Sequence, residues 1–316
     1  MVNIIVKQVA ERIRRLEVQG ATNIALTAMK AIENQVEMSK VQSRGAFLGE
    51  LMEAKEILFK SRVTEPLMRN AIIYIQRAAE SSKLEDVKDL ARVVSSASER
   101  FHKYIEISVK EIAEIGARRI ASTSKIITHC HSSLVSNVLM RAKSDKKIFK
   151  VFCTETRPFY QGRITARELL NAGIETTMII DSAIRFFMNE AELVLVGADA
   201  ITSEGNVVNK IGTSMIALAA HEARTPFYVV SQLLKFDPQT IYGKYTDIEE
   251  RSPSEVWDDA PIGLKIRNPA FDVTRRDYIH GIICEEGIIS PHSIIEAVRR
   301  RYPWTLEMHY RSGWDA

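Results

Sequence analysis

The chain has 316 residues, of which 46% are hydrophobic, with 43 basic side chains against 40 acidic ones. A net charge of +3 is too balanced to argue for direct nucleic-acid binding, and no apolar run approaches the ~18 residues of a membrane span. Three cysteines without CxxC spacing, Cys130, Cys153 and Cys284, fit thiols in a reduced compartment and not a disulfide scaffold.

In chain order, MVNIIVKQVAERIRRLE is charged and amphipathic without a cleavage-like region, which points to a cytoplasmic protein. Pro66 is the only proline before Pro158, and only Gly20, Gly45 and Gly49 precede Gly116, so the first third is expected to be helical. Val6, Val9, Ile13 and Leu16 mark one amphipathic helix, and 21–38 and 46–60 carry similar patterns. Leu90, Val94, Ala97, Phe101, Ile105, Val109 and Ile112 predict one long helix running towards Gly116. From about residue 120 the rhythm changes to short apolar runs separated by helical stretches: KIITH, FKVFCTE, TTMIID, AELVLVGAD, TPFYVV and HGIICEE. That series predicts an α/β fold, an N-terminal helical domain (1–118) followed by a Rossmann-like domain (119–316) with a parallel sheet covered by helices on both faces.

In such a sheet ligands sit beyond the carboxyl ends of the strands, so the residues after each run should converge. They are Cys130 to Ser133, Glu155 to Arg157, Asp181, Gly197 to Asp199, and Gln232 to Lys235. The acidic, proline-containing stretch from Asp247 to Gly263 reads as a surface loop near that crevice.

Along an extended THCHSS, His129 and His131 would point one way and Cys130 the other, a poor arrangement for a single metal. A thiol at a strand end before a helix N-terminus is placed where the thiolate is favoured, which suits nucleophilic or acid/base work. The stretch equally fits a buried structural cysteine between hydrogen-bonded histidines. AELVLVGAD delivers Asp199 to the same sheet edge. Ser203 to Asn206 reads as a tight turn, and Asn209-Lys210 then precedes a helix beginning near Gly212, a place for a phosphate or for a solvated lysine. Arg157, left at its strand end by Pro158, could hold a phosphate bidentately or form a surface ion pair. Arg275, Arg276 and Arg299 to Arg301 read as a solvated or subunit-facing surface.

Together THCHSS, TETRPFYQGRITARELL, VGADAITSEGNVVNKIGT and NPAFDVT followed by GIICEEGI resemble the family containing the alpha, beta and delta subunits of eukaryotic initiation factor 2B, methylthioribose-1-phosphate isomerase and archaeal ribose-1,5-bisphosphate isomerase. The likeness spans essentially the whole chain. The isomerase branches carry the cysteine and aspartate matched by Cys130 and Asp199, and the HCHS form is most similar to the archaeal ribose-1,5-bisphosphate branch. The resemblance implies isomerisation of ribose 1,5-bisphosphate to ribulose 1,5-bisphosphate in AMP degradation. Asp199 would handle the ring-oxygen proton and Cys130 would move a proton from C2 to C1. The phosphates would be held by Gly20, Ala21, Arg62, Ser132, Arg157, Asn209, Lys210 and Lys235. No metal or organic cofactor is implied. A nucleotide such as AMP is the implied candidate effector, and the implied assembly is a homo-oligomer with a dimeric core, extending to a hexamer. Three departures stand out: Gln19 where relatives usually carry arginine, Val63 in Ser61-Arg62-Val63-Thr64, and Gln232 to Leu234 before Lys235. They keep a second reading open, a non-catalytic initiation factor 2B-like subunit that senses a nucleotide or sugar phosphate.

Overall fold

The structure is a computed structural model and describes residues 2–62, 64–244 and 248–311, with side chains described as far as residue 307. Val63 and Asp247 lie outside the described residues. The described residues form two compact units, one within 2–107, 234–238 and 298–311 and the other within 108–233 and 239–297.

The first unit is helical. Helices α1 (Ile4–Arg14), α2 (Ala21–Glu37), α3 (Arg44–Phe59) and α4 (Pro66–Ser81) are followed by α5 (Val87–Arg119), whose length matches the apolar periodicity, and the unit division falls inside it. The helix starts follow from local chemistry. The Asn3 and Ser43 side chains cap α1 and α3, and Pro66, lacking an N–H, opens α4 where none is needed. Val6, Val9 and Ile13 are buried along α1, but Leu16 has φ 58° and lies past the helix end.

The expected single boundary at 118/119 differs from the interleaved units. Helix α11 (Pro303–Arg311) groups with the helical unit because the rings of Tyr302 and Trp304 pack with Tyr74, Phe101 and Tyr104; Trp304 and Tyr74 are 4.8 Å apart between centroids. Segment 234–238 joins it because the Asn70 amide on α4 donates to the carbonyls of Leu234 and Phe236 at 2.8 and 2.9 Å.

The second unit holds all six apolar runs as parallel strands: β1 (Lys125–Thr128), β2 (Lys150–Thr154), β3 (Glu175–Ile179), β4 (Leu193–Val196), β7 (Phe227–Val230) and β9 (Gly281–Cys284). Their order is β9-β7-β4-β1-β2-β3, with β10 (Gly287–Ile289) antiparallel at the β9 edge. Helices α6 (Ser133–Ser144), α7 (Gly162–Asn171), α8 (Ile184–Met188), α9 (Thr213–Ala223) and α10 (Ile294–Arg301) complete the elements, α10 running across the unit division. Ile126, Leu134, Val138, Val151, Leu193 and Leu195 share one core. The chain order reverses between β1 and β4, which puts the crevice at their carboxyl ends. A small antiparallel sheet of β5 (Ala200–Ile201), β6 (Val207–Lys210) and β8 (Phe271–Thr274) follows β4 and was not anticipated. Among the described residues no helix is long and apolar enough to cross a membrane.

Candidate active site

Strand β1 ends at Thr128, so the alternation expected through His129-Cys130-His131 stops short of it. Cys130 instead takes φ 64°, a left-handed conformation that residues with a Cβ rarely adopt and that is typically sustained by its surroundings. Those surroundings are threonines. The Cys130 N–H donates to Thr156 Oγ1 at 2.9 Å, and its carbonyl accepts from Thr165 Oγ1 at 2.8 Å. Thr165 reaches it because α7 begins hard against the end of β2. A Cβ on Gly162 would stand 1.7 Å from the Thr154 carbonyl oxygen, so the approach requires glycine.

Thr156, after β2, also has φ 64°. Its N–H and that of Arg157 each donate at 2.8 Å to a different oxygen of the Asp181 carboxylate beyond β3. His129 is buried, with Nδ1 2.6 Å from Thr154 Oγ1 and Nε2 2.9 Å from the Ile211 carbonyl oxygen. His131 reaches Thr165 Oγ1 at 3.1 Å. Among the described residues no cluster of histidine, cysteine and carboxylate side chains could hold a metal ion.

The expectation of a favoured thiolate needs correction. Ser132 caps α6 and Cys130 sits just before it, yet burial pushes the thiol up to about 11. The Lys210 ammonium pulls it down, while Asp199 and Asp181 push it further up. Desolvation outweighs the lysine and the His131 backbone N–H together.

Beyond β4, Gly197 lies against Ser132: a Cβ on Gly197 would meet Ser132 Oγ at 2.7 Å. Asp199 follows, its N–H bonded to the Val208 carbonyl at 2.9 Å, so it leads directly into the β5–β6 hairpin. The hairpin closes through Thr202 to Asn206, which includes the turn expected over Ser203 to Asn206, and β6 carries Asn209 and Lys210. Asn209 is buried, donating to Thr213 Oγ1 at 2.9 Å, and the Lys210 ammonium lies 5.2 Å from the centre of the Phe271 ring.

The helix N–H groups expected beside Lys210 for a phosphate meet a carboxylate of the chain itself. The Asp272 carboxylate accepts from Gly212 N at 2.8 Å, Ser214 N at 3.1 Å and Ser214 Oγ at 2.9 Å, so these groups at the start of α9 are already engaged. Burial holds the Asp272 carboxyl above its ordinary range.

A cavity of about 220 Å³ opens beside this network, lined by His129, Thr154, Arg157, Asp181, Gly212 and Met215 among others. The exposed Arg157 guanidinium lies over the Tyr160 ring and donates to the Val256 carbonyl at 3.0 Å, which brings the 248–263 loop to the cavity's edge.

The sheet unit thus carries Cys130, Ser132, Arg157, Asp199, Asn209 and Lys210. Gln232 is buried there and donates to Ser108 Oγ at 2.6 Å, turned to α5. The remaining predicted residues stand on the helical unit. Gln19 is exposed and donates to the Leu16 carbonyl at 3.0 Å; Gly20, at φ 83°, precedes Ala21 at the start of α2. Arg62 Nε is 3.6 Å from Glu65 Oε1, and Lys235 lies in the segment held by Asn70. Thr154, Thr165 and Asp272 had no assigned part in the sequence reading, whereas Thr156 falls within the Glu155 to Arg157 strand end. The strand-end rule did single out the position of Asp181.

Residues 17–291 match the Initiation factor 2 subunit family. Ribose 1,5-bisphosphate isomerase of Methanocaldococcus jannaschii is 40% identical, covering 95% of this chain and 96% of its own. Its namesake from Archaeoglobus fulgidus is 41% identical, covering 94% and 93%. Among solved structures, the Pyrococcus horikoshii translation initiation factor eIF-2B superposes with a TM-score of 0.80 at 33% identity, over 92% of this chain and 98% of that one.

Proposed function

The chain belongs to the initiation factor 2 subunit family, and within it we propose an aldose-ketose isomerase that converts ribose 1,5-bisphosphate to ribulose 1,5-bisphosphate in AMP degradation. The observation that carries this reading is a thiol held by a buried network at the sheet's switch point, on the edge to which Asp199 is also delivered. The full-length likeness to proteins of that name supports the substrate. The sensor alternative accounts for neither.

A phosphate on C1 prevents simple ring opening to a free aldehyde, so the ring oxygen must gain a proton as its bond to C1 breaks. In this reading Asp199 gives that proton. Cys130, as thiolate, removes the proton on C2, leaving an enol that keeps its C1 phosphate. The thiol then returns the proton to C1, while the Asp199 carboxylate takes the 2-hydroxyl proton as C2 becomes a ketone. The pair ends as it began, with one proton shared between sulfur and carboxyl.

For the phosphates we propose Ser132, Arg157, Asn209 and Lys210 on the sheet unit. On the helical unit we propose Gly20, Ala21, Arg62 and Lys235, with Gln19 an uncharged donor. The reading extends to a cytoplasmic homo-oligomer with a dimeric core, up to a hexamer, and to AMP as effector; sedimentation and AMP-dependent turnover test these. The direct test of function is phosphorus NMR of the purified protein with ribose 1,5-bisphosphate. Ribulose 1,5-bisphosphate should accumulate, and an unchanged spectrum from folded protein would contradict the reading.

A further inference from the structure

We propose that Thr156, clamped by Asp181, is a positioning residue of the isomerisation: its hydroxyl holds the Cys130 amide and thereby fixes the left-handed turn that carries the thiol. The inference rests on the isomerase reading and adds to it a group that touches neither substrate nor the reacting atoms.

The direction of the shorter hydrogen bonds that link Thr156 to His129 and Cys130 follows from one fixed end. The Ile211 carbonyl can only accept, so His129 Nε2, 2.9 Å away, carries the hydrogen. Burial lowers the His129 pKa and keeps the ring neutral, so Nδ1 has only a lone pair to offer. Thr154 must then donate to Nδ1 across 2.6 Å. With its hydrogen spent, Thr154 Oγ1 accepts from the Thr156 hydroxyl at 3.2 Å. That leaves Thr156 Oγ1 a pure acceptor towards the Cys130 N–H at 2.9 Å. An ordered chain thus runs from the Cys130 amide through two threonines and a histidine to the turn before α9.

Asp181 secures the other side of Thr156. Its two carboxylate oxygens take the N–H groups of Thr156 and Arg157, holding Thr156 at φ 64°. Two left-handed residues on neighbouring strand ends therefore support one another, Cys130 through its amide and Thr156 through its hydroxyl. Such conformations persist only where the surroundings over-determine them. A thiol that must reach both C2 and C1 depends on that placement, since a misplacement of about 1 Å can cost ~100-fold in rate.

Thr156→Val keeps the shape and the β-branch and deletes only the hydroxyl; Thr156→Ser keeps the hydroxyl. Valine should lower kcat by about 10- to 100-fold with KM within about threefold, and serine should restore kcat to within about threefold of the native value. A native kcat in the valine variant, or a serine variant as slow as valine, overturns the proposal. So does a loss explained by a lowered melting temperature alone. Should the valine variant not fold, Asp181→Asn is read in the same way, with about a tenfold lower kcat at unchanged KM expected and a native kcat contradicting it. If the wild type leaves ribose 1,5-bisphosphate untouched, the isomerase reading fails and the positioning claim is read from alkylation of Cys130 by iodoacetamide. Its rate must then change in Thr156→Val and stay native in Thr156→Ser; an unchanged rate in the valine variant overturns the proposal.

Discussion

The Ser132 hydroxyl lies so close to the backbone of Gly197 that a methyl group on Gly197 would meet it at 2.7 Å and its Cβ at 2.8 Å. The contact joins the ends of β1 and β4, the two strands that flank the switch point. Ser132 cannot retreat freely, because its carbonyl and side chain start α6. Gly197→Ala should therefore destabilise the fold by about 1–3 kcal/mol through overpacking and reduce turnover by shifting Ser132. Urea unfolding measures the first. The double variant Gly197→Ala/Ser132→Gly should recover much of the loss, and an additive double variant would contradict a direct clash.

The Cys130 thiol has a pH profile that alkylation can follow. Alkylation needs only the thiolate, and with the thiol pushed up to about 11 its rate should climb tenfold per pH unit below that value. Lys210→Met removes the cation that lowers the thiol, so alkylation should slow at every pH below about 11. An alkylation rate unchanged in Lys210→Met would contradict the hold of that ammonium on the thiol.

Gln19 offers a neutral donor where an arginine is the family expectation. Its side chain is exposed and donates to the nearby Leu16 carbonyl, so replacement costs little in the fold. Gln19→Arg should lower KM for ribose 1,5-bisphosphate by about 10- to 100-fold, the worth of one charge-assisted phosphate contact at ~1.5–3 kcal/mol. An unchanged KM would remove Gln19 from the phosphate contacts.

Asp272 serves the start of α9 in place of an external anion. Asp272→Ala strands the N–H groups of Gly212 and Ser214 and should cost about 1–3 kcal/mol in urea unfolding. Because burial raises its folded pKa above the unfolded one, the stability linked to its protonation is full below the ordinary carboxylate pKa and is lost as pH rises through the folded value. Asp272→Asn should remove that part of the stability profile in mildly acidic solution.

The parallel sheet was legible because its strands are short unbroken apolar runs, and once the strands were known the strand-end rule pointed at Cys130, Asp181 and Gly197. The small sheet was not legible: β5 spans two residues, and β8 is four residues with Asp272 inside it. The return of 234–238 and 298–311 to the helical unit depends on Asn70 and on a ring cluster of residues far apart in sequence, which periodicity does not register. Leu16 shows the same limit in small, fitting the α1 stripe while its backbone has already left the helix. At the site, position at a helix N-terminus suggested a thiolate, but burial depends on tertiary packing and reversed the sign. The threonine chain escaped for a related reason, since hydroxyls at strand ends acquire partners only when the strands are side by side.

The most direct test compares the wild type with Cys130→Ala and Asp199→Asn, each shown to be folded, following ribose 1,5-bisphosphate by phosphorus NMR and measuring its binding by calorimetry. The account predicts ribulose 1,5-bisphosphate from the wild type alone, with binding by both variants kept within about tenfold. Undiminished turnover by either variant would contradict the assignment of the proton shuttle to Cys130 and Asp199.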